Sequence, residues 1–293
     1  MIVTLGDLTL DILVKPDKHI PGKPVNSPGS VTMTSGGTAA NFAVWVARLG
    51  AGARFIGKVG NDPAATLLVW DLLKEGVLPE TIAEKGSTPT LTHVVREGGQ
   101  VELIPDRGVA VRLRPHEVDA SWLSDAQWLH IPAPSLLALP IGTAAARAVK
   151  LAREAKARVS IDLNSADDIR NYGVGKFSVV LKSIKPDVLF ATEEVAALFP
   201  AGSLGELATI SVLRLREGGA GIADDKGYRE FGPEKLRTID RTGASDAFAA
   251  AWCVTFLATK NADQASHKAI KLGARVAARQ GTRPEVDLKG IAE

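Results

Sequence analysis

The stretch DRTGASDAF, residues 240–248, places a single acid, Asp246, among small residues directly ahead of the apolar run AFAAAWCVTFLA. A helix starting near Gly243 would have its first N–H groups unsatisfied and a partial positive charge at that end. Thr242, Gly243, Ala244 and Ser245 lack the bulk to obstruct an anion, so a phosphate could rest on those amides. Asp246 is ionised at neutral pH, with a reference pKa of about 3.9. A carboxylate repels a phosphate, so a ligand role explains it poorly. A base that accepts the proton of an attacking hydroxyl explains it better, since phosphoryl transfer needs one acid to align the nucleophile. On this stretch alone, an ordinary cap by Ser245 or Asp246 explains the residues equally well.

A second glycine-rich stretch is SGGTAANFA, residues 35–43. Gly36 and Gly37 end a strand and open a helix, permit positive φ, and let a ligand approach the backbone. Asn41 lies one turn into that helix, where its amide can donate and accept at once, as a polyhydroxy ligand requires. The plainer reading, a Gly-Gly turn followed by a surface Asn, is favoured by this stretch alone. Other chemistries lack their signals. There is no GxxxxGK[ST] loop, no GxGxxG after the first strand and no GxSxG elbow. His19, His93, His116, His130 and His267 are scattered without metal-ligand spacing.

The elements that must carry these residues follow from hydrophobic periodicity. IVTLGD reads as a buried strand ending in a sharp turn, and VTMTS as a short alternating strand. TAANFAVWVARL is helical with Gly50 as its stop, ARFIGKVG is a strand, and PAATLLVWDLLKEG is a helix with Pro63 in its first turn. Residues 88–105 read instead as two alternating strands around Glu97-Gly98-Gly99. The strand–helix rhythm then resumes with AQWLHI, GTAAARAVKLAREAKA, RVSIDLN, PDVLFAT, EEVAALF and TISVLRLR. A hairpin, GAGIADDKGYREF, precedes a helix from about Ser245 to Lys260 and a closing helix, ADQASHKAIKLGARVAARQG. Strands alternating with helices imply right-handed βαβ units and a mostly parallel sheet covered on both faces. Two stretches, about 12–35 and 88–108, lack the apolar mass for a core of their own. They are expected to form a small sheet against one α/β domain spanning residues 1–293.

Composition narrows the function. The chain has 293 residues, 45% hydrophobic and 23% charged, with a net charge of +2. This is a globular profile without the basic excess that nucleic acid or an acidic membrane surface would favour. Cys253, the single cysteine, cannot form an internal disulfide and reads as a small buried hydrophobe. The N-terminus shows no secretory leader and no apolar run is long enough to span a bilayer. The expectation is a soluble cytoplasmic protein.

Taken together, the two stretches resemble the signatures of the PfkB carbohydrate kinase family, the ribokinase-like sugar and nucleoside kinases. GGTAANFAVWVARLGA with FIGKVGNDP is similar to its N-terminal signature, and DRTGASDAFAA to its C-terminal DTxGAGD signature. The match runs in order over nearly the whole chain. The resemblance implies a three-layer α/β/α sandwich with a small β lid, and transfer of phosphate from ATP, with Mg²⁺, to an alcohol that is commonly a sugar CH₂OH. It implies Asp246 as base and Gly243, Ala244 and Ser245 as the anion hole. Asp11, Gly36, Gly37, Asn41 and Arg107 match substrate contacts. Thr192, Arg216 and Gly219 fall on the nucleotide side. Asp240 and Thr242 fall where some relatives bind K⁺. Dimerisation through the lid sheet is implied as well.

The departures from the family pattern are specific. Ser245 replaces the second glycine of GAGD, and Arg241 replaces a common threonine. Thr192 and Val195 stand at the Asn and Glu positions of an NxxE motif, with Glu193 and Glu194 between them. Arg216 stands where glycine is usual, to crowd the nucleotide or clamp its phosphate. The expected activity is sugar phosphorylation. A nucleoside kinase and a non-catalytic sugar- or nucleotide-binding relative are the alternatives, the latter motivated by Arg216 and the altered NxxE. GGTAAN also lacks the lysine of the ribokinase form GGKGAN, which weighs against ribose.

Overall fold

Short apolar runs become strands wherever both faces can be buried. The computed structural model describes residues 1–17, 28–96, 100–200 and 202–292. The turn expected at Glu97-Gly98-Gly99, and most of the 15–30 stretch, lie outside the described residues. The first seven strands are β1 (Ile2–Leu5), β2 (Thr9–Pro16), β3 (Gly29–Gly36), β4 (Ala53–Gly60), β5 (Val77–Glu84), β6 (Thr90–Val95) and β7 (Val101–Asp106). The remainder are β8 (Trp128–Pro132), β9 (Arg158–Leu163), β10 (Val188–Thr192), β11 (Ile210–Arg214), β12 (Ala220–Asp224) and β13 (Gly227–Phe231).

The helices are α1 (Thr38–Arg48), α2 (Pro63–Lys74), α3 (Ile141–Glu154), α4 (Ala166–Tyr172) and α5 (Val174–Ile184). They continue with α6 (Glu193–Ala196), α7 (Ser203–Leu207), α8 (Ala244–Thr259) and α9 (Ala262–Ala277). α2 starts as its sequence predicts, with Asp62 accepting from the Ala65 N–H and Pro63 in the first turn.

Among the described residues the large sheet has nine strands in the order β13-β12-β11-β10-β9-β8-β1-β4-β5. Its pairs are parallel from β11 through β5, and only β12 and β13 join antiparallel. Alternation sorts the strands' side chains between two cores. Val188 and Phe190 of β10 join α1, α2, α8 and α9, whereas Leu189 and Ala191 join α3, α4 and α5 on the other face. The result is the three-layer α/β/α sandwich of ribokinase-like folds. A four-stranded sheet, ordered β3-β2-β6-β7, stands beside it. None of the helices among the described residues is long and apolar enough to cross a membrane.

Several elements escape the sequence patterns above, among them β5, α4 and α5. β5, VLPETIAE, is the edge of the large sheet and carries a proline, which edges tolerate. α4 and α5 are separated only by Gly173 at φ 100° and bury few residues each. From β1 the chain runs outward to β4 and β5, then returns past β1 to β8 and continues to β11. This reversal opens a crevice beyond the carboxyl ends of β1 and β8, where ligands of open α/β sheets bind.

Candidate active site

The turn after β1 carries Asp7, Pro132 ends β8 with Pro134 in the turn that follows, and Asn164 follows β9. Together with the start of α1, the start of α8 and the inner face of the small sheet, they enclose a cavity of about 390 Å³. Asp11, Leu91 and Pro105 line it. These three lie in one row across β2, β6 and β7, so they share a face of the small sheet.

Asp246 lies in the first turn of α8, and Gly243 is the N-cap with φ 76°. A side chain on Gly243 would place its Cβ 2.3 Å from the Thr282 carbonyl oxygen, so only glycine lets the C-terminal segment close over this helix start. The Ala244 N–H turns back to the Arg241 carbonyl at 3.2 Å. Gly243 and Ser245 therefore offer the amides better placed for an anion. Asp246 is only 5% exposed, yet it lines the cavity. Asn41 Nδ2 donates to its Oδ2 at 2.9 Å. Burial pushes the Asp246 carboxyl up to about 7, against the lowering effects of the Asn41 hydrogen bond and of Arg214 and Arg283, while Asp162 adds to the rise. A base that titrates near neutrality suits proton abstraction from an alcohol.

Asp11 is also buried, which raises its pKa, and it accepts from Thr9 Oγ1 at 2.7 Å. Gly36 does not line the cavity; it makes room for Asp11, since a Cβ there would sit 2.2 Å from Asp11 Oδ2. Gly37 lines the cavity at φ 93°, and its missing Cβ would meet the Asp7 carbonyl oxygen at 2.3 Å. Arg107 is held in a bidentate pair with Asp7, at 2.8 and 2.9 Å, and donates to the Pro134 carbonyl at 3.1 Å. A ligand reaching Arg107 would therefore meet a guanidinium already neutralised.

A second cavity, of about 440 Å³, lies on the other side of the α8 start. Thr192, Arg216, Gly219, Arg241 and Ala244 line it, with apolar walls from Leu215, Leu236, Phe248 and Ile270. Ser245 lines both cavities. One helix N-terminus thus separates a chamber lined largely by polar side chains from one with apolar walls, as transfer of a phosphoryl group between two ligands requires.

The description "pfkB family carbohydrate kinase" matches residues 1–288. The chain belongs to that family. It is 30% identical to an ATP-dependent ribose-1-phosphate kinase of Halopiger xanaduensis, over 99% of this chain and 96% of that one. It is 28% identical to a fructokinase of Salmonella typhimurium, over 84% of this chain and 81% of that one. Its fold matches that of an E. coli protein named for ribokinase II and solved with ATP and Mg²⁺. That match has a TM-score of 0.83 and 22% identity, over 96% of this chain and 94% of that one.

In this carbohydrate kinase the departures from the family pattern have local structural roles. Thr192 caps α6, accepting from the Val195 N–H at 3.2 Å. Glu193 accepts from the Arg216 N–H at 2.6 Å, and Glu194 pairs with Arg170 at 3.2 Å. Arg216 itself is exposed at the cavity rim, so it leaves the interior open. Both oxygens of Asp240 are engaged, Oδ1 by the Thr242 N–H and Oγ1 and Oδ2 by the Gly281 N–H. Asp240 thereby ties the α8 approach to the C-terminal segment and lines neither cavity.

Sequence reasoning missed Asp7, the partner of Arg107, although it stands at the strand-end turn GD. It also missed Arg214, which lines the second cavity and forms a bidentate pair with buried Asp162 at 2.7 and 2.9 Å. Arg283 was missed too: its Nε donates to Asn41 Oδ1 at 2.7 Å, and nothing in its local sequence, GTRPE, signals that contact.

Proposed function

We propose that this chain transfers the γ-phosphate of ATP to a hydroxyl of an uncharged sugar or sugar-like polyol. The observation that carries the proposal is the position of Asp246: at the mouth of α8, lining the polar cavity, with Asn41 engaging one carboxylate oxygen. Asp246 takes the proton of the acceptor hydroxyl as the new O–P bond forms. The amides of Gly243 and Ser245, with Ala244 completing the turn, stabilise the charge on the phosphoryl oxygens. ATP lies in the second cavity, with Thr192, Gly219 and Arg216 along its length and Arg214 and Arg241 supplying positive charge.

Mg²⁺, bound together with the nucleotide, would supply positive charge to offset that of the phosphates. Among the described residues no group of three His, Cys, Asp or Glu could hold a metal unaided. Glu193 and Glu194, two of the carboxylates lining the second cavity, would hold such an ion, directly or through water. Asp240 and Thr242 are the candidate K⁺ ligands of the resemblance, and activity in KCl against NaCl tests them. The small sheet acts as the lid that excludes water during transfer. ATP as donor implies work in the cytoplasm.

The cavity's charge supports an uncharged acceptor. Asp7 and Arg107 cancel as a pair, leaving Asp11, Asp106, Asp168 and Asp246 without another Lys or Arg among the described lining residues. Carboxylates grip neutral hydroxyls as acceptors and repel a phosphate. The lining residues include no aromatic ring on which a nucleobase could stack. The second reading, a sugar phosphate as acceptor, is favoured by the whole-length likeness to the haloarchaeal ribose-1-phosphate kinase. ATP-dependent phosphorylation across fructose, ribose, 2-keto-3-deoxygluconate, ribose-1-phosphate and adenosine separates the readings. A higher kcat/KM for a neutral sugar supports the proposal, and preference for ribose-1-phosphate or adenosine overturns its acceptor class. No turnover with any of them points to the non-catalytic reading.

A further inference from the structure

We propose that Arg283 is a positioning residue that orients the Asp246 carboxylate by fixing which way the Asn41 amide faces. This rests on the reading of Asp246 as the base. Arg283 follows α9 in the C-terminal segment and its side chain is 7% exposed. Its Nε donates to Asn41 Oδ1 at 2.7 Å, Nη1 to Asp71 Oδ2 of α2 at 2.9 Å, and Nη2 to the Gly36 carbonyl at 3.3 Å. Its backbone is clamped too. Arg48 of α1, itself paired bidentately with Glu75, donates to the carbonyls of Arg283 and Pro284 at 2.9 and 3.2 Å.

A guanidinium has donors and no acceptor. The Asn41 atom that meets Nε must therefore be its oxygen, and the NH₂ must face Asp246. A flipped amide would set N–H against N–H at one end and a carbonyl against a carboxylate at the other, losing two hydrogen bonds in a buried site. With the flip forbidden, Asn41 always donates to Oδ2 of Asp246, which leaves Oδ1 for the acceptor hydroxyl. The same donation favours the ionised carboxylate, and the Arg283 charge acts in the same direction. The other charges facing Asp246 are Asp162 of β9 and Arg214 of β11, and the two are paired with each other. Arg283, ion-paired with Asp71, thus holds the amide that touches the base, while itself lining neither cavity.

The test compares R283Q, R283K, N41A, N41A/R283Q and D246N as full-length proteins in steady-state kinetics against pH. R283Q is expected to lose about 10- to 100-fold in kcat with the KM for ATP unchanged. Its acid limb of kcat/KM is expected to move to higher pH, because both influences that favour the ionised base are weakened. At pH above the acid limb, where the base is ionised in every variant, the double variant is expected to lose no more kcat than N41A alone, since Arg283 positions the base through Asn41. Lysine keeps the charge, but its single nitrogen cannot reproduce the planar fork whose separate nitrogens reach Asn41, Asp71 and Gly36, so R283K is expected to fold and to lose about 5-fold or more in kcat. A wild-type kcat and acid limb in R283K, or additive losses in the double variant, overturn the inference. R283K decides the matter if R283Q does not fold. Full activity of D246N would instead sink the underlying reading of the base, whatever the Arg283 variants do.

Discussion

Asp246 is a carboxylate that folding makes less acidic, and this has consequences for both rate and stability. Burial is the main cause of its rise to about 7, opposed by Asn41 and by the charges of Arg214 and Arg283. As the base it must be ionised, so kcat/KM is expected to fall on the acid side of a limb near pH 7, which a pH–rate profile reads directly. D246N should keep ligand binding and lose about 10²- to 10⁴-fold in kcat. The stability sign runs the other way. A folded pKa above the unfolded value favours the protonated form, so this group's contribution is fully present below the ordinary Asp pKa and is lost as pH rises through about 7. D246N is therefore expected to be more stable than the natural chain at pH 8, by on the order of a few kcal/mol, with the gap closing near pH 4. Thermal unfolding of both proteins across that range measures it. A natural chain as stable as the variant at pH 8 would show that the carboxylate is better solvated than its burial indicates.

At the level of elements, the site is made by glycines that let other groups approach. Gly36 closes β3 against Asp11 with no room for a methyl group, the Cβ standing 2.2 Å from the carboxylate oxygen. Gly36→Ala must displace Asp11, and one lost hydrogen bond to a substrate hydroxyl costs about 1.4 kcal/mol, or tenfold. The KM for the acceptor is expected to rise about tenfold or more, with the KM for ATP unchanged. Equal acceptor KM values would show that Asp11 makes no substrate contact. These glycines were legible because two glycine-rich stretches sat at strand–helix junctions, and hydrophobic periodicity placed α1, α8 and the parallel strands around them. What stayed hidden is long-range pairing between side chains. Asn41 and Arg283 are 242 residues apart, and Arg107 and Asp7 are 100 apart. No local pattern records such contacts, because each depends on how distant loops meet at the end of the sheet. β5 stayed hidden for another reason: an edge strand with a proline and two half-buried charges has little of the pattern that marks a buried one.

At the scale of the whole molecule, the small sheet has two faces with different chemistry. Asp11, Leu91 and Pro105 face the cavity. Register puts Val31 beside Val14, and Met33 in one row with Ile12, Thr92 and Ile104 across the sheet, on the opposite face. Val31 is 64% exposed, Met33 62% and Ile104 50%. Apolar residues at that exposure on a sheet with free edges favour association, and two copies joined this way would hold each other's lid strands in order beside the acceptor. We therefore expect a dimer through this sheet, in equilibrium with monomer at micromolar concentrations. Met33→Glu places a charge on the β3 edge of that face without touching the cavity side, so it should shift sedimentation velocity profiles toward monomer. It should also raise the KM for the acceptor while leaving the fold intact by circular dichroism, because an unpaired lid orders its strands only at the expense of binding. A natural chain that sediments as a monomer at the highest concentrations tested would remove this contact from the account. The chemistry at Asp246 would stand without it, since among the described residues every group that lines the two cavities comes from one copy.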